Sequence, residues 1–572
     1  MNIRLTSFAL LASLSAGCAG AHTNAPTPKE ASSQPAGKSA SANAAPFAVT
    51  IAKPRKTFPL LRQMIAHRKG YASIGQLIDL FAADEDADLE RPVVFTTTGK
   101  DRVFAYSLAI VPGQEKTARA HLEKLGIAAV AGGKSGKFVC DVVRGSDGPR
   151  KVCAGNEETL ATLGPGAVNV PAGMTSDLRF EMDTTVAAKM QKARKQAAKA
   201  AAGDTSKDAS DAFVDTAVAD LGRFTADVSY DGGFDVRLAM QVKGQSPIWH
   251  TVFEAPAKAP PTTFALLPED SEIALFAHAP PPGATKELRE IAEAALVSDC
   301  SEGDARAARE AFDTILFTGG SVAFAIGYDR SKAESAAKSL VGKAGSNPDS
   351  VERARIALSS WALFGFEEPT ERWLGALRKL ESLDCNSKGK TSSTKTRIVS
   401  PTKALGLPAG TTEFVEVHTA KNPKDKPKPT TYIFVVPDGS RTWLAIGEDE
   451  LAIAARLRAS VDPKGRHLGE RVGGELLRTP ATGAAVFSAE ALAWAGHDLD
   501  STPSILRSAE LLVAAASMPT GGRTPIPVSF VSSPDGKGGE LRLRSRVDSA
   551  AVGDVISFLA SGDDSDDEDD DD

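Results

Sequence analysis

The sequence predicts an α+β protein of two similar lobes, each an antiparallel-rich sheet with helices on one face. Three observations lead there. Residues 46 to 560 are too many for one ordinary core and suit more than one. Alternating apolar runs flank turn signals such as Gly145-Ser146-Asp147-Gly148 and Asp535-Gly536, which favour antiparallel hairpins. Finally, three landmarks recur in one order in both halves, the mark of an internal duplication.

The first landmark is a strand running into an amphipathic helix. Arg102 to Val111 leads into Gln114 to Leu125, and Ser321 to Tyr328 leads into Ser331 to Leu340. Each helical stretch carries Ala and Leu at helical spacing, with Lys and Glu on the other face. The second is a hairpin running into a helix, CDVVRGSDGPRKVCAGNEETLATL at 140 to 163 and IFVVPDGSRTWLAIGEDELAIAARL at 433 to 457. Gly155 aligns with Gly447, and acidic residues follow each, complementing a helix dipole. The third is a strand before a final hairpin: Leu178 to Met182, then Arg223 to Ala239, against Ala484 to Phe487, then Val528 to Arg544.

The halves differ by insertions. The first carries a Lys/Ala helix, Val186 to Ala202, basic and poor in large apolar anchors, which reads as a solvated arm. The second carries residues 346 to 430, in which Val351 to Leu383 reads as two helices broken at Pro369. Its aromatic and leucine positions Trp361, Leu363, Phe364, Phe366, Trp373, Leu374 and Leu377 read as core.

The chain opens on Arg4, an apolar run from Leu5 to Leu14, and then Ser15-Ala16-Gly17-Cys18. Ten residues are too few to span a bilayer and suit an export signal. With its cysteine, Leu14-Ser15-Ala16-Gly17-Cys18 resembles the lipobox of bacterial lipoproteins, with Ser15 in the place usually held by Leu. The resemblance implies cleavage before Cys18, diacylation of its thiol, and a membrane partner through that lipid anchor, on the periplasmic or outer-membrane side of a cell envelope. An ordinary signal peptide cut near Ala19 to Ala21 is the alternative, and gives a secreted soluble protein. The layout also resembles bacterial exported proteins built of two similar α+β lobes, a resemblance that brings no catalytic motif.

The organisation is then a signal peptide at 1–17, a disordered tether at 18–45, lobe 1 at 46–258, lobe 2 at 259–560 with a helical insertion at 346–430, and an acidic disordered tail at 561–572. The tether is Ala, Ser, Pro, Lys and Thr, too polar to offset its ordering entropy, and has a reach of ~30 Å. The lobe boundary is placed in the Pro-rich stretch Ala255 to Pro261.

Net charge is -7, but Asp563, Asp564, Asp566, Asp567, Glu568, Asp569, Asp570, Asp571 and Asp572 carry -9, so the remainder sums to +2. A near-neutral body argues against a nucleic-acid partner. The tail is a candidate for weak cation binding without fixed geometry, since it lacks the glycine and spacing of an EF-hand loop. Besides Cys18 there are four cysteines, an even number that favours two disulfides in an exported chain. Folding 137 to 154 about Gly145 to Gly148 sets Cys140 opposite Cys153, close enough to bridge. Elimination then pairs Cys300 with Cys385.

Catalytic signatures are missing. Gly132-Gly133-Lys134-Ser135 and Gly389-Lys390-Thr391 lack the earlier glycine of a P-loop. No two of the eight histidines, His22, His67, His121, His250, His278, His418, His467 and His497, stand at i,i+4, so no metal site or cofactor is expected. Ser335-Ala336-Ala337-Lys338 has the S-x-x-K spacing without companion motifs and reads as a surface helix. The expectation is a non-catalytic, lipid-anchored envelope protein that acts as an interaction or structural module with an unidentified protein or ligand partner. The alternatives are a carrier or chaperone that holds an apolar or peptide ligand between the lobes, and a hydrolase assembled from distant residues.

Overall fold

A computed structural model describes residues 47–65, 78–97, 103–124, 128–183, 219–281, 302–316, 320–341, 348–381, 392–420, 430–471, 478–491 and 502–554, apart from a few internal positions. They fall into two compact units, divided in the chain between Lys243 and Gly244. The Pro-rich stretch 255–261 lies inside the later unit, where Lys258 and Ala481 exchange backbone hydrogen bonds of 3.0 and 2.9 Å. Cys18, Cys300, Cys385, the basic segment 186–202 and the acidic residues 563–572 lie outside the described residues.

The earlier unit contains β1 (Phe47–Ile51), α1 (Pro54–Ile65), β2 (Val93–Thr97), β3 (Phe104–Ala109), α2 (Glu115–Lys124), β4 (Ala128–Ala131), β5 (Lys134–Lys137), β6 (Val139–Gly145), β7 (Gly148–Ala154), α3 (Glu157–Ala167), β8 (Leu178–Asp183), β9 (Leu221–Tyr230) and β10 (Gly233–Val242). Its sheet is antiparallel, in the order β10-β9-β8-β1-β2-β3-β7-β6. β4 and β5 pair with each other.

The hairpin of β6 and β7 follows from its turn. Gly148 takes φ 126°, which disfavours any side chain, and the register then sets Cys140 against Cys153. The two are joined by a disulfide with Cα atoms 4.1 Å apart. Asn156 caps the helix that follows, accepting from Thr159 N at 2.7 Å. Strand alternation sends Val93, Tyr106 and Leu108 to one side of the sheet, against Phe58 of α1 and Phe81. It sends Ala105, Val152 and Ala154 to the other, against Leu163 and Ala167 of α3.

The later unit contains α4 (Pro247–Glu254), α5 (Thr262–Ala265), β11 (Ile273–Ala277), α6 (Glu302–Leu316), β12 (Val322–Gly327), α7 (Arg330–Leu340), α8 (Pro348–Leu358), β13 (Trp361–Phe366), α9 (Thr370–Glu381), β14 (Ser392–Val399), β15 (Thr412–Ala420), β16 (Thr431–Asp438), β17 (Arg441–Gly447), α10 (Glu450–Val461), α11 (Leu468–Arg471), β18 (Gly483–Phe487), α12 (Thr502–Ala516), β19 (Ile526–Asp535) and β20 (Gly538–Asp548). The order in its antiparallel sheet is β20-β19-β18-β11-β12-β13-β17-β16-β15-β14.

One face of this sheet buries Ala323, Ala325, Trp361, Leu363 and Trp443 against Ile453, Ala454 and Leu457 of α10. The other buries Val322, Phe324, Phe364 and Phe366 against Ala311 of α6 and Trp373 and Ala376 of α9. The α+β class with antiparallel sheets is therefore present. The expectation of helices on one face is corrected, because both units carry helices on both. The central strands are apolar on both sides and must be covered twice.

Two further expectations are corrected. Trp361–Phe366, read as helix, is a strand buried at every position and paired on both sides, with β12 and β17. A short, wholly apolar run shows no period by which strand and helix could be told apart. The first landmark also fails. The strand of 102–125 pairs with β2 and β7, whereas that of 321–340 pairs with β11 and β13, a different place in the strand order.

Replacing both Cys140 and Cys153 by Ala should cost about 3 kcal/mol, the worth of closing so short a loop. Urea unfolding followed by a probe in the earlier unit checks this, and non-reducing peptide mapping of the parent should recover both cysteines in one fragment.

Candidate functional site

Two helix starts converge at one end of the later sheet. β12 ends at Gly327 and α7 begins three residues on, capped by Asp329, whose carboxylate accepts from Lys332 N at 3.3 Å. β17 ends at Gly447 and α10 begins after Asp449, which accepts from Ala452 N at 3.0 Å. Both caps follow from an Asp just before a run of helix formers. With α8 as a third wall they enclose a cavity of about 530 Å³, lined by residues that include Lys332, Ser335, Arg353, Trp361, Glu448 and Asp449. That size is ordinary for a small-molecule site.

Apart from Arg353, the charged groups of the cavity are paired. Lys332 Nζ lies 3.3 Å from Asp329 Oδ2 and 3.3 Å from Asp449 Oδ2, joining the two helix starts. Burial works against the Lys332 charge, and hydrogen bonds to Asp449 and Asp329 outweigh it, so its ammonium titrates above the usual lysine range. The Asp329 carboxyl sits below the usual range, because hydrogen bonds from Ser331 and Lys332 outweigh its burial. Arg355 pairs with Glu448 at 2.9 Å and with Glu352 at 3.0 Å. Beneath these, Trp361 is 3% exposed, with the Arg456 guanidinium 5.7 Å from its ring centroid.

A buried ionic cluster adjoins the same turn of α7. Glu272 and Glu490 are each 2% exposed. Arg330 serves both: its Nη2 contacts Glu272 Oε1 and lies 3.2 Å from Glu490 Oε2. Tyr328 Oη donates to Glu490 Oε1 at 2.6 Å, and Arg523 Nε is 3.5 Å from Glu490 Oε2. Arg471, whose pKa is lowered by burial, donates to the carbonyls of Glu269 and Ser271 at 3.0 and 2.7 Å. Among the described residues, Glu272 Oε2 and Arg330 Nε have no hydrogen-bond partner. Burial, with the neighbouring Glu490 charge, pushes the Glu272 carboxyl up to about 7 in spite of Arg330. Two carboxylates on one guanidinium is an arrangement in which a proton is retained near neutrality.

The residues singled out by sequence are dispersed. Ser335 lies on α7 and lines the cavity. His121 sits on α2 with Nδ1 2.6 Å from buried Asp86, and His467 Nε2 meets the Ala459 carbonyl at 2.9 Å. His278 Nδ1 is 2.6 Å from Ser321 Oγ, but its Nε2 is engaged with the Lys258 carbonyl at 3.2 Å, and burial holds its pKa down. This pair lies outside the cavity lining. Among the described residues no group of three His, Cys, Asp or Glu is placed to hold a metal ion. Nor, among them, is any helix long and apolar enough to cross a membrane. Sequence reading missed Glu272, Arg330 and Glu490. The available signal was charge beside apolar strands: Glu272 just before IALFA and Arg330 just after VAFAIGY. No family model, curated protein or solved structure matches the chain.

Glu272 should make stability fall as pH rises. Its proton is bound more tightly in the folded state than at the ordinary 4.5. The resulting stabilisation is complete below that value and is lost as pH rises through about 7. Its size is on the order of 3 kcal/mol. Urea midpoints measured from pH 4.5 to 8 should show this decline, and Glu272→Gln should remove it.

Proposed function

We propose that this protein is a non-catalytic binding module of a bacterial cell envelope, held to a membrane by lipid on Cys18 and working through the cavity of its later unit. The paired lysine of that cavity carries the reading. Lys332 is held between two carboxylates with a raised pKa, so it is a poor base and a poor nucleophile. The nearby Ser335 belongs to an exposed helix face. Such walls suit recognition better than bond making.

The tether supports the same reading from sequence: a short apolar leader, a cysteine, and a polar stretch without large apolar residues. We read the two units as products of an internal duplication. In support, β1, β2, β3, β6, β7, β8, β9 and β10 of the earlier unit follow the same succession of pairings as β11, β12, β13, β16, β17, β18, β19 and β20 of the later one. In this correspondence β3 matches β13, replacing the first landmark, while the hairpin-then-helix landmark keeps its place. β14 and β15 are additions to the later unit, and the Cys140–Cys153 disulfide is a staple in the earlier one.

Cys18→Ser should move the protein from the membrane pellet to the soluble envelope fraction of the expressing cell. A mutant that still sediments with membranes at low and high salt would contradict the lipid anchor.

A further inference from the structure

Three features of the cavity bear on what it holds. Its carboxylates are already spent, Asp329 and Asp449 on Lys332 and Glu448 on Arg355, while the lining cation Arg353 is held by uncharged acceptors. A cationic ligand would compete with Lys332 and Arg355 for those carboxylates, and an anionic one would have to lie beside them, whereas a neutral one leaves the pairs whole. Hydrogen-bonding capacity nevertheless remains. Ser335 and Ser350 offer hydroxyls, and Arg353 reaches only the Asp349 carbonyl at 3.2 Å and Ser350 Oγ at 3.4 Å among its hydrogen bonds. The third feature is apolar surface among these polar groups: Ala452 and Ile356, the latter 48% exposed.

A pyranose meets all three demands. It is uncharged, its rim of hydroxyls both donates and accepts, and its C–H face packs on apolar side chains. An extended peptide would instead seek an unpaired strand edge. The strands that reach this cavity, β13 and β17, are each paired on both sides. We propose that the cavity binds a neutral saccharide, with Arg353 and the serine hydroxyls as its polar contacts. The proposal rests on the reading of the protein as a binding module.

Calorimetric titration of the full chain tests it, with N,N′-diacetylchitobiose and maltose as neutral probes and glucuronic acid, glucosamine and trialanine as controls. At least one neutral probe should bind saturably with Kd below about 1 mM, and the controls should give no saturable heat. Ser335→Trp fills the cavity from an exposed helix position, and Arg353→Ala removes a donor that is itself exposed. Each should weaken binding about tenfold or more with Tm unchanged. Failure of both neutral probes, binding of the controls alone, or affinity unmoved in both variants would overturn the saccharide. A photo-crosslinking residue at Ser339 in whole cells separates this from failure of the binding module. Capture of a protein there by a chain that binds no sugar would overturn the saccharide and leave the module standing. The Cys18→Ser fractionation reports on the tether by itself.

Discussion

The later unit depends on strands that are buried on both faces. In β12, β13 and β17 nearly every residue is withdrawn from water, so the sheet requires α10 on one side and α6 with α9 on the other. Burying a large apolar side chain is worth about 1.5–3 kcal/mol, and these strands supply many. The same constraint dictates glycine where aromatic rings lie across the sheet. A Cβ on Gly327 would stand 2.6 Å from the Trp361 ring, and one on Gly365 would stand 2.7 Å from Trp443 and 2.8 Å from Thr263. Rings and glycines are chosen together.

The polar features follow from where those strands end. Helices must begin as soon as strands stop, so Asp329 and Asp449 cap neighbouring helices and Lys332 ties them together. The next residue to Asp329, Arg330, turns inward to neutralise Glu272 and Glu490. Without it, two buried carboxylates would cost several kcal/mol. The cavity and the buried cluster are thus opposite sides of one helical turn, and the cluster fixes the direction in which α7 leaves the sheet.

Local chemistry was legible in the sequence and assembly was not. The hairpin at 139–154 could be read because a Gly-bounded turn fixes its register, and that register alone brings Cys140 to Cys153. The helices after Gly155 and Gly447 were legible for a like reason, since the acidic residues that open each are neighbours in the chain. Trp361–Phe366 was misread because a strand buried on both faces loses its alternation. The first landmark was misaligned because a strand followed by an amphipathic helix is a generic unit, and only pairing partners show which strand corresponds to which. Glu272, Arg330 and Glu490 come from distant parts of the chain, and no spacing rule joins them.

Native-state hydrogen exchange read by mass spectrometry tests this account most directly. If the doubly buried strands hold the later unit together, peptides covering 322–327, 361–366 and 441–447 should exchange last and at a common rate, as parts of one cooperative core. Peptides from the edge strand at 392–399 should exchange well before them. Early exchange of 361–366, at or ahead of the 392–399 edge, would contradict a fold built on that strand.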